Sequence, residues 1–508
     1  MQTTGEGIFA PRGRRLALPL AAAATALLAA AAGYYVARGP AWVGALDTFG
    51  PLHLFALAAG LLALIFVLTD PEAGLPLLAV VLYANLSEVA VRSYGVPSLL
   101  QALTLAVAAG LVLRRMSSGG WRRARFVADP LLVPLVAYVA VVFASSLWAA
   151  DAGLADERLA ENLKGLAVFL LVTNLVTTRR TLKRVVWALV LAGAFLGTVS
   201  VLQVLTRSYG SEFGGFGRVK MAHIAGSLYE PRIAGPLSDP NFYAQILVAL
   251  VPLALYRLWD EASWRLKLVA AYAFGVIALA AVFTYSRGGA LALALVLLLA
   301  GLYKRVRLKH VAAALLALAP FALLVPGSFE RRLGTLAEIA REDEEAVSAA
   351  PVESSIRQRT LLMRAAWGMF SDHPLLGVGA GNYAANYDEY AARVGSTLNS
   401  YDDFGQQRFP HSLYLEVAAE TGLAGLLAFG AAVIGALLSL RSAHRRFMAA
   451  GDWRAASAAA SVALALVGYL TTSLILHGHY VRYLWLLLAV AAAARQVARR
   501  VAAEEGHA

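Results

Sequence analysis

The chain has 508 residues, 59% of them hydrophobic and only 15% charged, against about 25% charged in soluble domains, so apolar runs of about 18–22 residues read as membrane spans and a soluble globular protein is excluded. The formal net charge of +12 does not point to nucleic acid, because most Lys and Arg fall in short loops between apolar runs, where they set topology. Cysteine is absent, which excludes disulfides, a thiolate nucleophile and Cys-ligated metal, and the nine histidines lack a zinc-like spacing.

In chain order, about 14 candidate spans follow from length and freedom from charge, with 12 as the lower count. They lie near 16–36, 50–69, 74–92, 97–114, 129–149, 161–177, 184–205, 240–258, 266–284, 287–303, 310–326, 412–440, 456–476 and 480–497. The first follows Arg12, Arg14 and Arg15 and is long enough for a retained signal anchor. The third is interrupted by Asn85 and Glu88, and the sixth is short.

With the N-terminus cytoplasmic, every even-numbered exit should be basic. The exits RRMSSGGWRRAR (114–125), TTRRTLKR (177–184), YRLWDEASWRLK (256–267), YKRVRLK (303–309), RSAHRRF (441–447) and RQVARR (495–500) all comply; only TDPEAG after the second span gives no signal. Both termini are therefore expected inside. The intervals 146–164, 206–239, 284–289 and 327–411 are expected outside. The expected domains are an N-terminal bundle (1–205), core spans with an external loop (206–326), a large outer loop (327–411) and C-terminal spans (412–508).

Residues able to carry chemistry concentrate in the outer intervals. The loop EPRIAGPLSDPNFYA (230–244) carries Arg232, suited to a phosphate or sugar, and three prolines that order the turn ahead of Asn241. Arg287, in SRGG, stands at the outer end of a span, the wrong place for a topology arginine, and its fork suits bidentate contact with phosphate. REDEE (341–345) reads as a solvated segment. From Ser354 to Phe370 the composition is helical, with Arg359, Met363, Ala366 and Phe370 on one stripe. Arg357 and Arg364 fall on another, with Arg357 an alternative to Arg359. The helix ends at Asp372-His373-Pro374, and HPLLGVGAGNY (373–383) follows. Its Gly377 and Gly379 are candidate substrate-binding positions, although glycines there also suit a tightly packed turn; the pattern follows no strand, so a dinucleotide site is not expected.

His411 opens the run HSLYLEVAAETGLAG (411–425). An imidazole there is expected to titrate near neutrality and to take a proton from an acceptor hydroxyl. Glu416 and Glu420, one turn apart, need partners in the protein interior. Asp402-Asp403 is a weak cation signal.

Four local patterns, in order and on the expected side, resemble the O-antigen ligase and polymerase superfamily of bacterial polysaccharide assembly. They are Arg232 with Gly235 and Pro240-Asn241; Ser286-Arg287-Gly288; Arg359 with Met363-Arg364-Ala365-Ala366 leading into HPLLGVGAGNY; and His411, Leu415, Glu420, Gly422 and Gly425. The resemblance implies an all-α, GT-C-like polytopic protein in the bacterial inner membrane. Its implied activity is an inverting glycosyltransferase that moves a glycan from undecaprenyl pyrophosphate to an acceptor hydroxyl at the periplasmic face. The acceptor is a lipid A core sugar in a ligase, or a second lipid-linked glycan in a polymerase. No metal, cofactor or nucleic acid is implied. Arg287 and Arg359 would hold the pyrophosphate and His411 would orient or deprotonate the acceptor. Arg232, Asn241, Arg357, Gly377 and Gly379 would bind substrate, and Glu416 and Glu420 would be structural. A transporter or flippase for lipid-linked sugars is the competing class, and it predicts charges lining a path across the spans.

Overall fold

The computed structural model describes residues 63–117, 129–225, 228–306, 351–396, 398, 400 and 407–504. The expected spans at 16–36 and 310–326, most of that at 50–69, the run 341–345, Asp402-Asp403 and both chain ends lie outside the described residues.

The named helices are α1 (Pro71–Tyr83), α2 (Leu86–Tyr94), α3 (Leu99–Ser117), α4 (Leu132–Ser145), α5 (Ala152–Leu175) and α6 (Arg179–Leu205). A two-stranded antiparallel hairpin follows, β1 (Arg218–Ala225) and β2 (Leu228–Gly235). Then come α7 (Pro240–Asp260), α8 (Trp264–Phe283), α9 (Arg287–Lys304), α10 (Pro351–Asp372), α11 (Tyr383–Arg393), α12 (Leu413–Ala449), α13 (Trp453–Thr472) and α14 (Val481–Glu504). The described residues are consistent with the expected all-α polytopic membrane protein, with little strand: the hairpin lies in the expected outer loop 206–239.

Among the described residues, eight helices are long and apolar enough to cross a membrane, or nine if α1 and α2 are one bent span. The gap from the expected 14 has two sources besides the segments outside the description and the bent pair. The run at 129–149 yields only the 14-residue α4. The interval 146–164, expected as a polar connector, is helical from Ala152 and continues into the next run as the 24-residue α5. Asp151 starts that helix by accepting from the Leu154 N–H at 3.1 Å.

The bend between α1 and α2 is 58°, at the polar residue that interrupts the run. Asn85 sits at φ 56°, a conformation its short side chain tolerates. Its amide is satisfied on both ends, donating to the Pro236 carbonyl at 3.3 Å and accepting from Arg482 at 2.6 Å. Glu88 accepts from the same guanidinium at 2.8 Å.

Helices α7 and α14 are buried along nearly their whole length and form the centre of the bundle. α7 packs against α8, α9 and α13, and α14 against α5 and α12. Large apolar side chains such as Leu105, Val133, Leu302 and Leu427 project from the outer faces of the peripheral helices, as lipid-facing residues must.

Candidate active site

The helices alternate in direction, so the starts of α7, α9, α12 and α14 meet the ends of α8 and α13 at one end of the bundle. Arg287 is the first residue of α9. Ser286 caps that helix, its hydroxyl accepting from the Gly289 N–H at 3.3 Å. The two glycines after the arginine are packing positions: a Cβ on Gly288 would overlap Ile475 beyond α13, and one on Gly289 would stand 2.7 Å from the Ala244 methyl of α7. SRGG therefore lets α9 close onto its neighbours and leaves the Arg287 side chain half-buried at the bundle end.

Arg232 lies on β2 and is buried. Its Nε donates to the Thr284 carbonyl at 3.0 Å and its Nη2 to the Asn241 amide oxygen at 3.1 Å. The two expected substrate-binding residues thus bond to each other, tying the hairpin to the α8–α9 turn and to the head of α7. Lys220, opposite Arg232 in the hairpin register, reaches Asp239 at 3.5 Å. Asp239 caps α7, accepting from the N–H groups of Asn241 (2.7 Å) and Phe242 (3.4 Å). Burial pushes the Asp239 carboxyl up, but Lys220, these N–H groups and Arg232 outweigh it and hold the carboxyl below its usual range.

Arg359 comes from α10, whose buried stripe is Leu362, Ala365, Ala366 and Met369. The sequence expectation placed Arg359 with Met363, Ala366 and Phe370; the packed stripe is turned by about one residue, and Arg359 extends it half-buried while Arg357 and Arg364 are exposed. The turn after α10 docks onto a break in α12, where Gly422 adopts φ 62° and ψ −161°. The N–H groups freed by the break donate into the turn, Leu423 to the Pro374 carbonyl (2.8 Å) and Ala424 to the Leu375 carbonyl (3.1 Å). The turn returns Val378 N–H to Ala419 (2.9 Å) and Gly379 N–H to Glu420 (3.0 Å). The Glu420 carboxylate accepts from the Gly381 N–H at 2.8 Å and the Tyr383 N–H at 3.4 Å. Irregular backbone among membrane helices is tolerated when its polar groups are paired in this way.

Gly377 and Gly379 have φ of 69° and 109°. A Cβ on Gly377 would overlap the Glu420 backbone, and one on Gly379 would stand 2.9 Å from Ala149. Both glycines face protein, so they serve the docking of the turn.

His411 precedes α12 in the left-handed region, φ 50°, a strained conformation for a side chain of this size. The following residues fix it: Leu413 N–H donates to the carbonyls of Ser473 (3.0 Å) and Leu476 (2.8 Å), at the end of α13. Its ring lies 5.6 Å from that of His477, nearly perpendicular. His477 stacks on Phe409, with centroids 4.1 Å apart and planes 6° apart. The Nδ1 atoms of His411 and His477 are both buried without a hydrogen-bond partner among the described residues.

The expectation that His411 titrates near neutrality is corrected. Burial, then the Arg359 charge, outweigh Asp239 and push its pKa down to about 4. The same electrostatics connect the candidate residues pairwise. Arg359 is depressed by burial and by Arg287 and raised by Asp239, while His477 is depressed by burial, His411, His479, Arg158 and Arg359. Arg287 from α9 thus acts on Arg359 from α10, and Arg359 acts on His411 at the head of α12. Two cations and a neutral imidazole at the end of an apolar bundle suit an anionic ligand beside a group that can accept a proton.

Glu416 pairs with Arg158 of α5 at 2.7 Å, and its other oxygen accepts from the Gly478 N–H. Arg158, Asp239, His477 and His479 were not singled out from sequence. The usable signal for the histidines was position: HGHY (477–480) sits at the head of a span on the same expected face as His411.

Residues 272–430 match the family model described as O-antigen ligase, which supports the O-antigen ligase and polymerase superfamily. The matched segment runs from within α8 to within α12 and contains Arg287, Arg359, His411, Glu416 and Glu420. A search of curated proteins returns no match.

Proposed function

From the premise that this chain carries an O-antigen ligase family segment at 272–430, we propose that it is a glycosyltransferase moving a glycan from undecaprenyl pyrophosphate to an acceptor hydroxyl. The observation that carries this reading is the link from Arg287 to Arg359 and from Arg359 to His411, residues that come from three separate elements. The two guanidinium groups hold the pyrophosphate by charge-assisted hydrogen bonds and stabilise the negative charge that develops as it leaves. His411, neutral at physiological pH, accepts the proton of the acceptor hydroxyl. The acceptor oxygen bonds to the anomeric carbon as the bond to the phosphate oxygen breaks, and undecaprenyl pyrophosphate departs with the electron pair. Attack opposite the leaving group inverts the anomeric centre.

The basic residues support a periplasmic site in the bacterial inner membrane. Arg179, Arg180, Lys183, Arg184, Arg265, Lys267 and Lys304 cluster at the bundle end opposite Arg287 and His411, as the positive-inside rule requires of the cytoplasmic face. A glycan donor at the periplasmic face must be lipid-linked.

The favoured acceptor is a lipid A core sugar, and a deletion strain tests it on a lipopolysaccharide gel. Loss of all capped bands supports ligation to the core. Retention of a single repeat identifies a polymerase with a second lipid-linked glycan as acceptor. An unchanged ladder contradicts lipopolysaccharide as the product.

A further inference from the structure

The turn His477-Gly478-His479-Tyr480 between α13 and α14 is used neither by donor binding nor by His411. Both polar groups of the Gly478 backbone are gripped. Its N–H donates to the Glu416 carboxylate, and its carbonyl accepts from Arg158 Nη1 at 3.1 Å. Arg158 Nη2 closes the ring on Glu416 Oε1 at 2.7 Å. A Cβ on Gly478 would stand 2.9 Å from Leu413 Cδ1 and 3.1 Å from Glu416 Oε2, so the grip fits glycine closely.

This clamp sends the flanking imidazoles different ways. His477 is buried against Phe409, whereas His479 is exposed. Yet four rings crowd His479: Tyr480 at 4.5 Å, His477 at 5.8 Å, Phe242 at 5.9 Å and Phe409 at 6.0 Å. Its side chain is therefore solvent-accessible on one side and packed against aromatic rings on the other. The charges acting on His479 are Arg158, Glu88, Arg482 and Asp239. Arg158 and Arg482 are themselves paired, with Glu416 at 2.7 Å and Glu88 at 2.8 Å.

We propose that His479 is an acceptor-binding residue that hydrogen-bonds a hydroxyl of the incoming saccharide, with the half-buried Phe409 ring as an apolar platform and Arg158 and Glu416 as positioning residues. The inference rests on the transferase reading and assigns the other half of its site. Desolvation by the surrounding rings, with the Arg158 charge, lowers the pKa of His479, and a neutral imidazole, with one ring nitrogen donating and the other accepting, matches a sugar hydroxyl and not a phosphate. Aromatic faces beside such a group suit the C–H faces of a sugar ring.

The test uses the purified full-length protein in detergent, undecaprenyl-pyrophosphate glycan as donor and rough lipopolysaccharide as acceptor, with His479→Ala and His479→Gln. The expected result is an acceptor KM at least tenfold higher in His479→Ala, a donor KM within twofold of wild type, and partial recovery in His479→Gln, which keeps a donor and an acceptor. Equal increases in both KM values, or an unchanged acceptor KM, overturn the assignment. Binding of core oligosaccharide alone separates this inference from the reading beneath it. If the wild type binds the oligosaccharide at least tenfold more tightly than His479→Ala, the subsite stands even where transfer is absent and the transferase reading fails. If the wild type does not bind it, the subsite is overturned.

Discussion

Arg158 on α5 and Glu416 on α12 form a 2.7 Å ion pair whose side chains are only 13% and 3% exposed. Burying two charges carries a desolvation cost that their attraction need not recover, so such a pair is weak evidence for stability and better explained by what it positions. Here it holds the backbone of Gly478 between two histidines of the candidate site. Arg158→Met leaves Glu416 buried and uncompensated and should destabilise the protein by about 3–5 kcal/mol, read as a lower Tm in detergent. Arg158→Met with Glu416→Met should recover most of that stability and leave transfer impaired. Recovery of both would reduce the pair to a structural role.

The pH profile follows from His411. Its pKa is lowered to about 4, so the proton-accepting form dominates at neutrality and is lost only as pH falls through that value. With kcat/KM reporting the free enzyme, the profile should stay flat from pH 8 to about 5 and fall below it. A bound pyrophosphate brings negative charge and raises the imidazole pKa, so the acid limb of kcat should lie above that of kcat/KM. A limb centred at the ordinary histidine value in both parameters would contradict this.

Arg359→Lys keeps the charge and loses the planar fork. The donor KM should rise at least tenfold, since two arginines share one anion. Arg364→Ala, on an exposed face of the same helix, should stay within twofold of wild type. Similar effects from the two variants would mean that α10 contributes only general positive charge.

Gly377→Ala places a methyl into the Glu420 backbone at a φ of 69° and should abolish docking of the turn onto the broken helix. The expected readout is loss of folded protein on size-exclusion chromatography. Gly430→Ala, on the same α12 with open space around it, should be neutral or stabilise the protein by up to about 1 kcal/mol, since alanine is the better helix former.

The legible part of this molecule was the part that violates membrane rules. Arg287 and His411 stand at span ends where an ordinary topology residue has no place, and Asn85 marks the position of the bend between α1 and α2. The hairpin at 218–235 was hidden because Pro231 and Pro236 read as turn residues, while in the fold Pro231 pairs with Met221 on the facing strand. Arg158 was hidden because the charged run around it read as a connector, although Asp151 caps a helix there. Arg232 and Asn241 fell within one local pattern in sequence, but their bond to each other depends on the β2 register. His477 and His479 lacked any metal-like spacing, and only the fold brings their turn beside Phe409 and His411.

Single-turnover transfer by His411→Ala, measured beside donor binding, isolates the proton-accepting role of His411. Donor affinity should stay within threefold of wild type while the transfer rate falls by about 10²-fold or more, the scale of a lost general base. Transfer at the wild-type rate would contradict it.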